Sequence, residues 1–117
     1  MSRADQDNLP GFGRYGEPEE LARRVAEVLS TRIAVTAVFL FGSQVSGRAG
    51  EYSDVDVAVF TPARESMTWD EELDLALLVA TQVAPHIELQ FFRPERMEHP
   101  RPGGFEREVL EHGKRVA

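Results

Sequence analysis

The chain has 117 residues, of which 42% are hydrophobic, and this is enough for one domain with one buried core. Thirteen basic residues against twenty acidic ones give a net charge of −7, which argues against a nucleic-acid backbone as the partner. The absence of cysteine excludes disulfides and thiolate chemistry.

No apolar stretch reaches the ~18 residues that a membrane helix needs, and the N-terminus lacks the apolar segment of a signal peptide. We therefore expect a cytoplasmic protein without a membrane partner. Residues 1–16 are polar and rich in glycine and proline, which predicts a flexible N-terminal tail before a domain at 17–117.

A first helix is predicted from Pro18, because Leu21, Val25, Val28 and Leu29 recur at helical spacing. The apolar run over 33–41 predicts a buried strand that leads into a Gly-Ser turn. A short helical turn is expected after the serine, and residues 54–60 are expected to form a second strand beside the first.

A second helix is predicted to begin at Thr68, which forms a capping-box pattern with Glu71. One face of this helix is apolar, with Trp69, Leu73, Ala76, Leu77 and Ala80. Leu75, Leu78 and Val79 widen that face, so we expect this helix to be deeply packed. Trp69 is accordingly interpreted as a core residue, with a base-stacking platform as the alternative.

Pro85 should end that helix before a third strand at 87–92. A Pro/Gly-rich loop then leads into a last helix, with Phe105, Val109 and Leu110 facing inward and Gly113 at its end. This order of elements predicts an α+β fold, a small mixed β-sheet with helices packed on it.

The chemistry is concentrated in Gly42-Ser43 and Asp54-Val55-Asp56. Alternate residues of a strand share a face, so both aspartates project together and repel each other unless a cation lies between them. Mg²⁺ takes such oxygen ligands and brings substrate phosphates with it, and the glycine turn is a plausible seat for those phosphates. The alternative is a solvent-facing pair of aspartates on an edge strand beside a plain turn.

Three segments of this region resemble the minimal nucleotidyltransferases, small members of the DNA polymerase β superfamily: Phe41-Gly42-Ser43-Gln44, Gly47-Arg48-Ala49 and Ser53-Asp54-Val55-Asp56-Val57. The likeness extends from the first helix to the C-terminus, where Glu108-Val109-Leu110-Glu111-His112-Gly113 is similar to the closing helix of that family. The resemblance implies a polymerase β-like nucleotidyltransferase fold.

By this resemblance, Gly42 and Ser43 hold the β- and γ-phosphates of a nucleoside triphosphate. Asp54 and Asp56 bridge two Mg²⁺ ions, which stabilise the entering and leaving oxygens of an in-line displacement. The family has a third carboxylate, usually an aspartate, on a later strand. Glu88 is the only acidic residue of the predicted third strand, so it is the candidate for the third catalytic and metal-binding position.

Two further residues lie near the motif. Arg48 could pair with a phosphate, or it could be a solvated loop residue. Ser53 could cap or orient Asp54, or do neither. The expected nucleotide-binding set is therefore Gly42, Ser43, Arg48 and Ser53.

The resemblance implies that an acceptor hydroxyl attacks the α-phosphorus of ATP and that pyrophosphate leaves. Many minimal nucleotidyltransferases are antitoxins that add AMP to a tyrosine of a HEPN-domain toxin, so we expect a protein of this kind. It could form a homo-oligomer or a hetero-oligomer with the toxin. Two alternatives remain. One is a non-catalytic module that neutralises its partner by contact. The other is an aminoglycoside-type small-molecule transferase, whose additional helical domain a dimer would have to supply.

Overall fold

The computed structural model describes residues 15–42 and 54–117. The short helical turn expected after Ser43 lies outside these residues. In chain order the elements are α1 (Pro18–Leu29), β1 (Ala37–Phe41), β2 (Val55–Phe60), α2 (Trp69–Gln82), β3 (Ile87–Phe92), α3 (Phe105–His112) and β4 (Lys114–Arg115). Short 3₁₀ turns follow β2 and β3, at Pro62–Ser66 and Pro94–Arg96.

The described strands form one mixed sheet in the order β3-β2-β1-β4. β1 pairs antiparallel with β2 and with β4, whereas β2 pairs parallel with β3. The predicted α+β class and the predicted neighbourhood of the first two strands are confirmed. Because β2 and β3 are parallel, their carboxyl ends lie at the same end of the sheet.

One face of the sheet is covered by α1 and α2. Leu21, Val25 and Leu29 of α1 are fully buried there, as the helical spacing predicted. The side chains of Ile87, Leu89 and Phe91 in β3 pack on the same side, so their neighbours Glu88 and Gln90 project to the other face.

The other face is packed by aromatic residues and by α3. The Phe60 ring stacks on Phe92 at 5.3 Å between centroids and meets Phe39 edge-on at 5.5 Å. Val109 of α3 is buried against these rings. This is the face onto which Asp56 and Glu88 project.

The prediction that α2 is deeply packed through Trp69 was wrong. The cap is as expected, since the Thr68 hydroxyl accepts a hydrogen bond from the Glu71 amide at 3.1 Å. Trp69 is 74% exposed, Leu73 47% and Leu77 55%. Leu75 and Val79, which were expected to widen the apolar face, are the residues that enter the core. The helix has apolar residues on more than one side, and only the sheet decides which side is buried.

The boundaries of two other elements differ from expectation. β1 begins at Ala37 rather than at residue 33, although Ile33 and Val35 still pack against the core. The strand β4 was not predicted, because two exposed charged residues show no apolar alternation.

The N-terminal boundary of the domain remains a prediction. Residues 1–14 lie outside the part of the chain that the structure describes. Tyr15 is half-buried against the core, with its ring 5.6 Å from that of His86. In the described ranges, no helix combines the length and the apolarity needed to cross a bilayer.

Candidate active site

The centre of the candidate site is a pair of carboxylates on neighbouring strands. Asp56 of β2 is in register with Glu88 of β3 on one side and with Phe41 of β1 on the other. Partners in register point to the same face, and the side chains of Asp56 and Glu88 share a hydrogen bond. Asp54 immediately precedes β2, is exposed, and lies close enough for its charge to act on Asp56.

This crowding of acids changes the ionisation of Asp56. Burial first, then the charges of Glu88 and Asp54 and the hydrogen bond with Glu88, raise the pKa of Asp56 from 3.8 to about 6. The fold thus holds the carboxylates together although they repel each other. A bound cation would reduce this electrostatic repulsion, so the arrangement favours a cation-binding site.

The pKa of Asp56 makes a prediction about stability. Because this pKa is raised on folding, the folded state binds the proton more tightly, and the free energy of unfolding should fall as pH rises from about 4 to about 6. Subtracting the pH profile of Asp56→Asn from that of the wild type, by urea denaturation without metal, isolates this contribution. If the difference in stability between the two proteins stayed constant or rose from pH 4 to pH 6, the raised pKa of Asp56 would be contradicted.

The predicted glycine turn faces this pair. Gly42 follows β1 directly and has a φ of +80°, and a Cβ atom built on it would lie 2.5 Å from the Oδ2 atom of Asp56. Only glycine allows both the left-handed backbone and this approach. The structure thus places Gly42 beside Asp56, and its role in phosphate binding remains a prediction. Ser43, Arg48 and Ser53 lie outside the described residues, and their roles remain predictions as well.

Gly42→Ala should destabilise the fold more than a matched substitution elsewhere. Gly103 also has a positive φ, of +72°, but a Cβ there would meet nothing within 4 Å. Gly103→Ala should thus cost about 1 kcal/mol for the backbone alone. Gly42→Ala should cost about 2–3 kcal/mol, because the side chain of Asp56 must also move. Equal losses in chemical denaturation would show that the turn does not press on Asp56.

The carboxylate pair opens into a cleft of about 300 Å³. Its walls are formed by β1, β2, β3 and α3 through Phe41, Gly42, Asp56, Glu88, Gln90, Phe105, Glu108 and His112. Sequence reasoning did not assign Gln90, Glu108 or His112 to the site. Gln90 lies two residues after Glu88, so strand alternation could have identified it. Glu108 and His112 come from α3, whose position over the sheet only the tertiary structure reveals.

Phe105 also differs from expectation. It was predicted to face the core, but it is 47% exposed and lines the cleft. Its ring meets Phe41 edge-on at 5.2 Å, which holds the start of α3 against the end of β1. Phe105 is the first residue of α3, so no preceding helical turn lies beside its ring.

The donor set suits a hard cation. Within residues 15–42 and 54–117, no group of three or more His, Cys, Asp and Glu side chains could hold a metal ion by itself. Mg²⁺, however, is commonly bound through one or two carboxylates together with substrate phosphates. The hydrogen-bonded pair of Asp56 and Glu88 fits that mode, with the positive-φ turn at Gly42 beside it.

The chain belongs to the polymerase β nucleotidyltransferase family, whose profile matches residues 23–117. Among curated proteins, none matches the chain in sequence.

Two solved structures share the fold. One is a crystal structure of a toxin–antitoxin with AMP-PNP, with a TM-score of 0.62 and 20% identity, covering 82% of this chain and 72% of that one. The other is a presumed nucleotidyltransferase from Sulfolobus solfataricus, with a TM-score of 0.52 and 18% identity, covering 69% and 71% of the two chains. At these identities the likeness establishes the fold.

Proposed function

We propose that the protein is a Mg²⁺-dependent nucleotidyltransferase that moves AMP from ATP to a hydroxyl group, a tyrosine of a partner HEPN-type toxin, and so acts as an antitoxin. The observation that carries this proposal is the pair of Asp56 and Glu88, pressed together beside Gly42 in an open cleft. Membership of the nucleotidyltransferase family and the fold shared with a toxin–antitoxin structure that contains AMP-PNP support it.

The residues have separate roles in this reaction. Asp54, Asp56 and Glu88, together with the substrate phosphates, would hold two Mg²⁺ ions. The ions would supply charge neutralisation and activation of the acceptor hydroxyl. Gly42 leaves room for the triphosphate, and Ser43, Arg48 and Ser53 would contact it. The bond between the acceptor oxygen and the α-phosphorus forms while the bond from that phosphorus to pyrophosphate breaks. The hydroxyl proton passes to solvent.

The acceptor is expected to come from another molecule. The described elements form one sheet with helices on its two faces, and no separate acceptor-binding domain is found within them. A tyrosine on a partner protein can enter a cleft of about 300 Å³ while the rest of the partner stays outside. The exposed position of Glu88 leaves this approach open.

The direct test is transfer of label. The purified protein is incubated with Mg²⁺, with ATP labelled at the α-phosphorus, and with the toxin encoded beside it. The toxin should become labelled on a tyrosine and lose its ribonuclease activity. ATP labelled at the γ-phosphorus is the matched control and should leave the toxin unlabelled. Lack of α-label on a toxin that is nevertheless neutralised would contradict the enzymatic proposal.

A second candidate function, neutralisation by contact alone, is favoured by the exposed side of α2. Trp69, Leu73 and Leu77 recur every four residues and are about half or more exposed. Asp70 and Asp74 flank them and are exposed as well. A partner surface that is apolar with a basic rim would complement this strip.

One experiment on the exposed strip tests whether α2 is the surface that binds the toxin. Trp69→Ala should weaken binding of the toxin about 30-fold by calorimetry if α2 is the contact surface, since buried tryptophans dominate interfaces. Thr81→Ala, an exposed change on the same helix, is the control and should have no effect. Binding that Trp69→Ala leaves unchanged would exclude α2 as the docking surface.

A further inference from the structure

A larger cavity, of about 580 Å³, adjoins the cleft of the carboxylate pair. Gln90 and Phe105 line both spaces, so the two lie next to each other. Four arginines line the larger one, although the chain carries a net charge of −7. We call it the arginine pocket, and its arginines are Arg64, Arg93, Arg96 and Arg101.

The topology of the sheet brings these arginines together. Arg64 lies in the 3₁₀ turn that follows β2, and Arg93 and Arg96 follow β3 directly. Since β2 and β3 are parallel, the segments after them emerge at the same end of the sheet. Arg101 joins them from the loop before α3.

Two of the four arginines form salt bridges with carboxylates of the chain. Arg101 is bound to the buried Glu106, and the Nε atom of Arg93 lies 3.1 Å from Oε1 of Glu95. In contrast, Arg64 and Arg96 form no salt bridge with any residue that the structure describes. One further carboxylate, that of the exposed Glu65, also lines the pocket.

The rest of the lining is largely aromatic. Phe91 and Phe92 from β3 and Phe105 from α3 line the pocket together with Met67 and the amide of Gln90. A ligand that suits it carries anionic groups for the free guanidinium groups next to a flat or apolar part for the rings.

We propose that the arginine pocket binds an acidic peptide segment of the acceptor protein, next to the residue that carries the accepting hydroxyl; this inference rests on the proposed function. Acidic side chains anchored at Arg64 and Arg96 would leave a neighbouring tyrosine over Phe105, at the entrance to the cleft with Asp56. The pocket thus selects which hydroxyl is presented for transfer.

A peptide fits these observations better than a nucleic acid. Arg64 and Arg96, which have no salt bridge to a described residue, would neutralise only about two phosphates, whereas nucleic-acid affinity depends on many such contacts. The net charge of −7 repels a long polyanion, but a short segment meets only the local positive charge.

The test measures peptide binding without ATP or Mg²⁺. The probes are two fluorescent peptides, a tyrosine flanked by glutamates and the same peptide with glutamines. The protein should prefer the acidic peptide, and Arg64→Gln with Arg96→Gln should reduce its affinity about tenfold in anisotropy titrations. The control, Arg32→Gln with Arg115→Gln, removes two exposed charges outside the pocket and should change nothing.

Further arms make the outcome decisive. Arg64→Lys with Arg96→Lys should keep most of the preference, and unchanged melting temperatures exclude misfolding of the glutamine variant. Equal binding of both peptides, or a preference that the glutamine variant retains, would overturn the inference. Tighter binding of a single-stranded oligonucleotide, falling steeply with salt, would overturn the assignment to a peptide.

The inference and the proposed function can fail separately. If the toxin is labelled by ATP but the acidic peptide is not preferred, the proposed function stands and this inference is wrong. If the peptide preference depends on Arg64 and Arg96 while no AMP is transferred, the pocket stands as a binding site and its role in acceptor selection is wrong.

Discussion

Transfer of AMP to the toxin is expected to fall by roughly 10³-fold or more in Asp54→Asn with Asp56→Asn, because both changes remove oxygen ligands and charge from the site of phosphate transfer. The folded chain should lose no stability at neutral pH. Burial and then the charges of Glu88 and Asp54 raise the pKa of Asp56, so its ionised form is disfavoured in the fold, and the neutral amide of asparagine avoids both effects.

This combination of effects distinguishes a catalytic role from a structural one. A structural role would lower activity and melting temperature together, whereas the active-site role lowers only activity. Asp74→Asn, on the exposed side of α2, is the matched control and should leave both unchanged. Label on the toxin at the wild-type rate in the double variant would refute the assignment of these aspartates.

The second large effect concerns the buried carboxylate of Glu106. This side chain is fully buried and accepts hydrogen bonds from the amide and the Nε atom of Arg101, each at 2.9 Å, and from its Nη2 atom at 3.0 Å. These contacts tie the loop before α3 to the helix. Glu106→Gln should therefore lower the free energy of unfolding by about 2 kcal/mol in urea denaturation.

Arg101→Ala should be more destabilising than Glu106→Gln at pH 7. Removing Arg101 leaves a buried carboxylate without its partner, whereas removing the charge of Glu106 leaves an arginine that solvent still reaches. Arg107→Ala, which breaks an exposed pair with Glu111, is the control and should have a small effect. A larger loss of stability in Glu106→Gln than in Arg101→Ala would contradict this account of the ion pair.

The pH dependence of this pair runs opposite to that of Asp56. Hydrogen bonds from Arg101 lower the pKa of Glu106 to about 2, below its ordinary value of 4.5. A lowered pKa means that the stabilisation is complete above pH 4.5 and is lost as pH falls through about 2. The difference in stability between wild type and Glu106→Gln should shrink over this range, and a difference that stays constant would exclude the ion pair as its source.

Much of the site could be predicted from short-range patterns. Alternation along β2 and β3 places Asp56 and Glu88 on the face opposite Ile87, Leu89 and Phe91, and the structure has them so. Gly42 was predictable because a close approach at a turn calls for glycine. These features depend only on residues that are close in sequence, so the sequence is sufficient to predict them.

Other features depended on contacts between distant segments. Trp69 looked like a core residue because an apolar spacing shows that a helix has an apolar side, but not which side the sheet covers. The charged β4 follows Gly113, which ends α3, and its residues are a strand through their pairing with β1. Glu106 was not singled out, since a carboxylate can be buried only where a guanidinium from another segment meets it.

The amino-acid sequence by itself determined the helices α1 to α3, the strands β1 to β3, the mixed α+β class, the glycine turn and the candidate acidic residues, because each depends on local spacing and residue type. The tertiary structure alone decided which side of α2 stays exposed, that α3 forms one wall of the cleft, and that four arginines line one pocket. The physical reason is that burial and convergence of charge depend on the packing of segments far apart in the chain, and no local pattern records that packing.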